Sequence, residues 1–65
     1  MRLRALREQR NISQLKLALD LNMNQNTISR YETGERQPSI QELIQLAEYF
    51  HVTIDYLVGR TDSLN

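Results

Sequence analysis

Within six residues of each other stand Gln25, Asn26 and Arg30, with Thr27 and Ser29 interleaved. These side-chain types carry a specific chemistry. A primary amide presents a donor and an acceptor side by side, which matches the N6/N7 edge of adenine, and a guanidinium fork matches guanine O6/N7 or a phosphate. A helix face that only had to be solvated would more often carry Glu and Lys. Ile28 and Tyr31, three apart, fall on one side of a helix and leave the amides and Arg30 on the other.

The elements that must hold these residues are short helices separated by polar punctuation. Residues 2–10 form the first, with Leu3 and Leu6 apolar and Asn11 at its end, since Asn enters the left-handed conformation readily. Ser13 is a good N-cap for a second helix that starts at Gln14 and runs through Leu17, Ala18 and Leu21 to Asn22. Asn24 opens a third over 25–33, which Gly34 closes. After the loop 34–38, Ser39-Ile40-Gln41-Glu42 is a capping box. It starts a fourth helix whose expected apolar stripe is Ile40, Leu43, Ile44, Ala47 and Phe50, with His51 at its end. Thr53 caps a last helix over 54–58, stopped by Gly59, and residues 60–65 read as a frayed tail. No stretch alternates with period two, and no repeat is present. The expected fold is all-α: a compact five-helix bundle over residues 1–59, followed by the short tail 60–65.

Gln14 to Thr33 carries the most information. Two helices of about two turns joined by a three-residue turn have helix-turn-helix geometry. Ala18 is small where the second helix crosses the first, Asn22 tolerates positive φ, and Met23 can plug the turn into the core.

Other chemistries find no residues. With one histidine, His51, and no cysteine, neither a metal site nor a disulfide framework can be built. Asp55 and Glu48 have no partner constellation for acid–base work, and Ser13, Ser29 and Ser39 lack the base a nucleophile needs. The expectation is a protein that is not an enzyme and uses no cofactor. A chain of 65 residues holds one small domain, and Leu, Ile, Val and Phe make up 18 of them, enough for a core. It has no run of 18 apolar residues and no secretion signal, so a cytoplasmic protein without a membrane partner or small-molecule ligand is expected.

The run from Ser13-Gln14 through Thr27-Ile28-Ser29-Arg30-Tyr31-Glu32-Thr33-Gly34 to Pro38-Ser39, with the closing Val52-Thr53-Ile54-Asp55-Tyr56-Leu57, resembles the XRE-type helix-turn-helix of lambda-repressor-like and Cro-like regulators. The likeness extends over 3–59. It implies a five-helix domain that binds double-stranded DNA, commonly as a homodimer on a palindromic site, and regulates transcription, here with repression expected. By that resemblance Gln25, Asn26 and Arg30 fall on base-facing positions, with Thr27 and Ser29 as lesser contacts. Gln14 and Arg36 fall on phosphate-facing positions, and Arg7 and Glu32 correspond to a structural ion pair. The family often has glycine where Asn11, Asn22 and His51 stand, and a basic residue where Glu35 stands. Leu15 and Leu19 occupy a helix face that relatives usually fill with charge.

Those two leucines can be ordinary exposed residues or the start of a protein-contact patch, so the alternative is an interaction module, such as an antitoxin-like partner. For a dimer, the apolar residues Val52, Ile54 and Leu57 or Val58 and the rings of Tyr49 and Tyr56 are the candidate surface. Eight basic and eight acidic side chains cancel, but residues 1–36 hold seven basic against four acidic and residues 37–65 one against four. The expectation is a positive half facing DNA and modest nonspecific affinity.

Overall fold

The start of each helix after the first is fixed by one side-chain oxygen. Ser13 Oγ accepts from the Lys16 amide at 3.0 Å, Asn24 Oδ1 from the Asn26 amide at 2.8 Å and Thr53 Oγ1 from the Tyr56 amide at 3.0 Å. Ser39 and Glu42 exchange both bonds of the capping box, at 3.1 and 2.8 Å. The resulting elements, in a computed structural model that describes residues 1–62, are α1 Leu3–Gln9, α2 Gln14–Leu21, α3 Gln25–Thr33, α4 Ile40–Phe50 and α5 Ile54–Val58. Among the described residues there is no strand, and no helix is long and apolar enough to cross a membrane.

The helix ends are equally regular. At Asn11, Asn22 and His51 the backbone turns left-handed (φ 56°, 56° and 57°), and Gly59 does the same at φ 90°. At each, the next amide reaches back five residues: Ile12 to Arg7, Met23 to Ala18, Val52 to Ala47 and Arg60 to Asp55. Carbonyls that would otherwise be orphaned are thereby satisfied.

Every helix contributes to one core. Leu3, Leu17, Ile28, Leu46, Phe50 and Leu57 are completely enclosed, and Met23 packs the turn between α2 and α3 against them. Two expectations are corrected here. The buried stripe of α4 is Leu46, Ala47 and Phe50, with Leu43 half-buried, while Ile40 (69% exposed) and Ile44 (38%) face outward. Residues 43, 46, 47 and 50 centre on a direction about 110° away from Ile44 at 3.6 residues per turn, which turns Ile44 outward, and Ile40 is exposed as the first residue of the helix. Leu57 is a core residue and supplies no dimer surface.

The chain's ends are tied together. The Arg2 amide donates to Leu57 O at 2.7 Å; its side chain donates to Tyr56 O and Thr61 O, both at 2.9 Å, and to Asp62 Oδ1 at 2.8 Å. Its guanidinium also lies 4.4 Å from the centroid of the Tyr56 ring. Residues 60–62 are therefore held against α1 and are not frayed; residues 63–65 of the expected tail lie outside the described residues.

Candidate nucleic-acid interface

α3 buries Ile28 and Tyr31 and leaves Gln25, Asn26, Arg30 and Thr33 exposed. Successive positions turn by 100°, so residues 26, 30 and 33 fall within about 60° of each other, on the side away from the core. Thr27 and Ser29 flank this arc and are half-buried. Thr33 was not singled out from the sequence, although its spacing of seven from Asn26 and three from Arg30 places it on the same stripe. Its single hydroxyl proton has two acceptors in reach, Arg30 O at 3.2 Å and Glu35 Oε1 at 3.3 Å.

Behind the arc, three elements meet at one carboxylate. Arg7 of α1 grips Glu32 of α3 with Nε to Oε2 at 2.7 Å and Nη2 to Oε1 at 3.2 Å; the two side chains are 12% and 4% exposed. Gln14, the first residue of α2, adds a third bond from Nε2 to Oε1 at 3.0 Å. Arg7 Nη1 also donates to Ile12 O at 2.9 Å, holding the α1–α2 turn. Burial pushes the Glu32 carboxyl up, but the bonds from Arg7 and Gln14 outweigh it and hold it below the usual carboxylate range. The Gln14 amide is thus occupied by Glu32 in the free protein, with its side chain half-buried at the α2 N-terminus.

The charge separation along the chain takes a different meaning once side chains are paired. Arg2, Arg7 and Arg10 are anchored on main-chain carbonyls at helix ends and turns, Arg10 through Nη2 to Phe50 O at 2.6 Å. Arg4 pairs with Glu8 at 3.3 Å and Lys16 with Asp20 at 2.8 Å. Asp20 also accepts from the Tyr49 hydroxyl at 2.6 Å, which ties α2 to α4. The hydrogen bonds from Lys16 and Tyr49 hold the Asp20 carboxyl below its ordinary range. Of the seven basic residues in 1–36, Arg30 and Arg36 make no side-chain hydrogen bond or ion pair among the described residues, although the Arg36 charge helps to hold the Glu42 carboxyl low. Arg36 is exposed in the loop after α3, where its amide donates to Arg30 O at 3.3 Å. Among the described residues, the unpaired cations of 1–36 are therefore two, both in α3 and its following loop, and Arg60 beyond α5 is unpaired as well.

A half-buried helix pair with an amide-rich outer arc and two free guanidinium groups fits a family of known proteins. The helix-turn-helix family model matches residues 3–57. The chain belongs to the XRE-type helix-turn-helix family. This helix-turn-helix domain is 41% identical over 59 residues to the HTH-type transcriptional regulator AnsR of Bacillus subtilis, covering 91% of this chain and 51% of that protein. It is 33% identical over 61 residues to the HTH-type transcriptional regulator ImmR of the same organism, covering 94% and 48%. It is 30% identical over 50 residues to the cryptic phage CTXphi transcriptional repressor RstR of Vibrio cholerae, covering 77% and 45%. The chain spans about half the length of these relatives. No solved structure matches it. In the helix-turn-helix frame, α2 and α3 are the motif's two helices and Asn22-Met23-Asn24 its turn.

Proposed function

We propose that the domain is a sequence-specific double-stranded DNA-binding transcriptional regulator, acting as a repressor. α3 enters the major groove with Gln25, Asn26 and Arg30 at base edges and Thr27 and Ser29 at the margins of the contact. Arg36 and the α2 N-terminus at Gln14 meet phosphates. The observation that carries this reading is the outer face of α3, where Asn26 and an unpaired Arg30 share the exposed arc and the exposed Gln25 stands at the helix N-terminus, on a helix braced by the Glu32 ion pair. The relatives' names, all of transcriptional regulators and one of a repressor, support the regulatory role.

One α3 spans only a few base pairs, so the proposal includes a two-fold homodimer on a palindrome with half-sites about 34 Å apart. The half-buried Val52, Ile54 and Val58 are its proposed apolar surface. Tyr49 and Tyr56 are poorer candidates, because a hydroxyl bond to Asp20 and stacking under Arg2 already engage them. The domain is proposed to act in the cytoplasm, without a small-molecule ligand.

Selection of bound duplexes from a random pool tests the proposal. Enrichment of an inverted repeat with that spacing is expected, and a pool that stays random overturns it. A second reading, a protein-interaction module, draws on Leu15 and Leu19, which are 51% and 69% exposed on α2.

A further inference from the structure

We propose that Glu35 acts as an electrostatic brake on DNA association: a carboxylate set beside the DNA-facing arc that lowers affinity for any duplex. This inference rests on the DNA-binding reading above. Each other acidic side chain in residues 1–36 faces a cation: Glu8 faces Arg4, Asp20 faces Lys16 and Glu32 faces Arg7. Among the described residues Glu35 forms no ion pair, although the two unpaired guanidinium groups, Arg30 and Arg36, lie on the same short segment. Its one hydrogen bond comes from the Thr33 hydroxyl at 3.3 Å.

That bond determines where the charge stands. Thr33 occupies the exposed arc of α3 with Asn26 and Arg30, so a carboxylate oxygen 3.3 Å from its hydroxyl stands at the C-terminal end of the same arc. Phosphates that approach Arg30 and Arg36 approach Glu35 as well. The unpaired charge of this surface is then two positive and one negative, and half of the attraction is cancelled at the point where the backbone would be held. The fold does not depend on the carboxylate. Glu35 is exposed, the helix is closed by Gly34 at φ 83°, and Thr33 keeps its bond to Arg30 O without it.

The test uses the whole chain with Glu35→Gln and Glu35→Lys. Affinity is measured for the duplex enriched by selection and for an unrelated duplex of equal length, at low and high salt. Glu35→Gln is expected to raise affinity for both duplexes about fivefold, the effect of relieving ~1 kcal/mol of like-charge repulsion near the surface. Glu35→Lys is expected to raise it further, and both gains should shrink at high salt. Unchanged affinity of both variants overturns the brake. So does weaker binding of Glu35→Gln to the enriched duplex alone, which would make Glu35 a reader of a base amino group. A wild-type chain that binds neither duplex would instead contradict the DNA-binding reading itself, and melting curves exclude misfolded variants.

Discussion

Arg7 and Glu32, 25 positions apart, form a two-pronged ion pair at 2.7 and 3.2 Å that is almost closed to solvent, and Gln14 completes the carboxylate's shell at 3.0 Å. The pair joins α1 to the end of α3, and the Gln14 bond joins both to the start of α2. Leaving one buried partner alone costs about 3–5 kcal/mol, against ~5–15 kcal/mol for the whole stability of a small domain. Arg7→Ala is therefore expected to lower the melting temperature by more than about 10 °C, and Arg7→Lys by less, because the ammonium keeps the charge and loses the fork. A thermal melt followed by circular dichroism checks both. An unchanged midpoint for Arg7→Ala would remove the pair from the stability account.

The same carboxylate sets a pH dependence. Its folded pKa lies below the ordinary value of 4.5, so the folded state favours the ionised form. The stability this contributes is fully present above 4.5 and is lost as pH falls through the lower folded value. Chemical denaturation between pH 6 and 3 is expected to show stability falling over that acid range. Glu32→Gln should flatten part of the slope, while Asp20 and Glu42, whose carboxyls are also held low, keep the remainder. An identical slope in Glu32→Gln would contradict this.

Salt dependence separates the paired arginines from the free ones. With two unpaired cations on the proposed interface, log affinity should fall with log salt at a slope no steeper than about −2 per bound chain, not the roughly −6 that seven basic residues would give. Arg36→Ala, at a phosphate, should reduce the slope by about 1, whereas Arg30→Ala, at a base edge, should lower the preference for the selected duplex. Arg4→Ala, which removes a guanidinium already engaged with Glu8, should leave it unchanged. Affinity titrations at four salt concentrations give all of these slopes.

Much of the fold was legible because its signals are local. Ser13, Asn24, Ser39 and Thr53 cap helices through atoms two or three residues away, and Asn11, Asn22 and His51 turn left-handed for reasons intrinsic to their side chains. The distribution of charge was not legible, since a count of basic residues does not reveal that Arg2 and Arg10 are spent on carbonyls 54 and 40 positions away. The exposed side of α4 is not legible in the sequence for a related reason. Ile40 and Ile44 satisfy a helical apolar period as well as Leu43 and Leu46 do, and only the position of the neighbouring helices selects one set. On α3 the arc of Asn26 and Arg30 follows from periodicity alone, while Gln25 is exposed as the first residue of the helix, about 100° to one side. Thr33 belongs to it by the same rule, but its bond to Glu35 depends on the loop geometry after Gly34.

The central claim is that the amides of α3 read bases. Its most direct measurement compares the wild-type chain with the double variant Gln25→Ala, Asn26→Ala on the selected duplex and on an unrelated one. Both positions are exposed and make no side-chain bond to the core, so the variant should melt like the wild type. The double variant is expected to bind both duplexes weakly and lose most of the preference between them, with the salt slope preserved, since the phosphate contact of Arg36 remains. A double variant that still prefers the selected duplex by the wild-type ratio would contradict the claim.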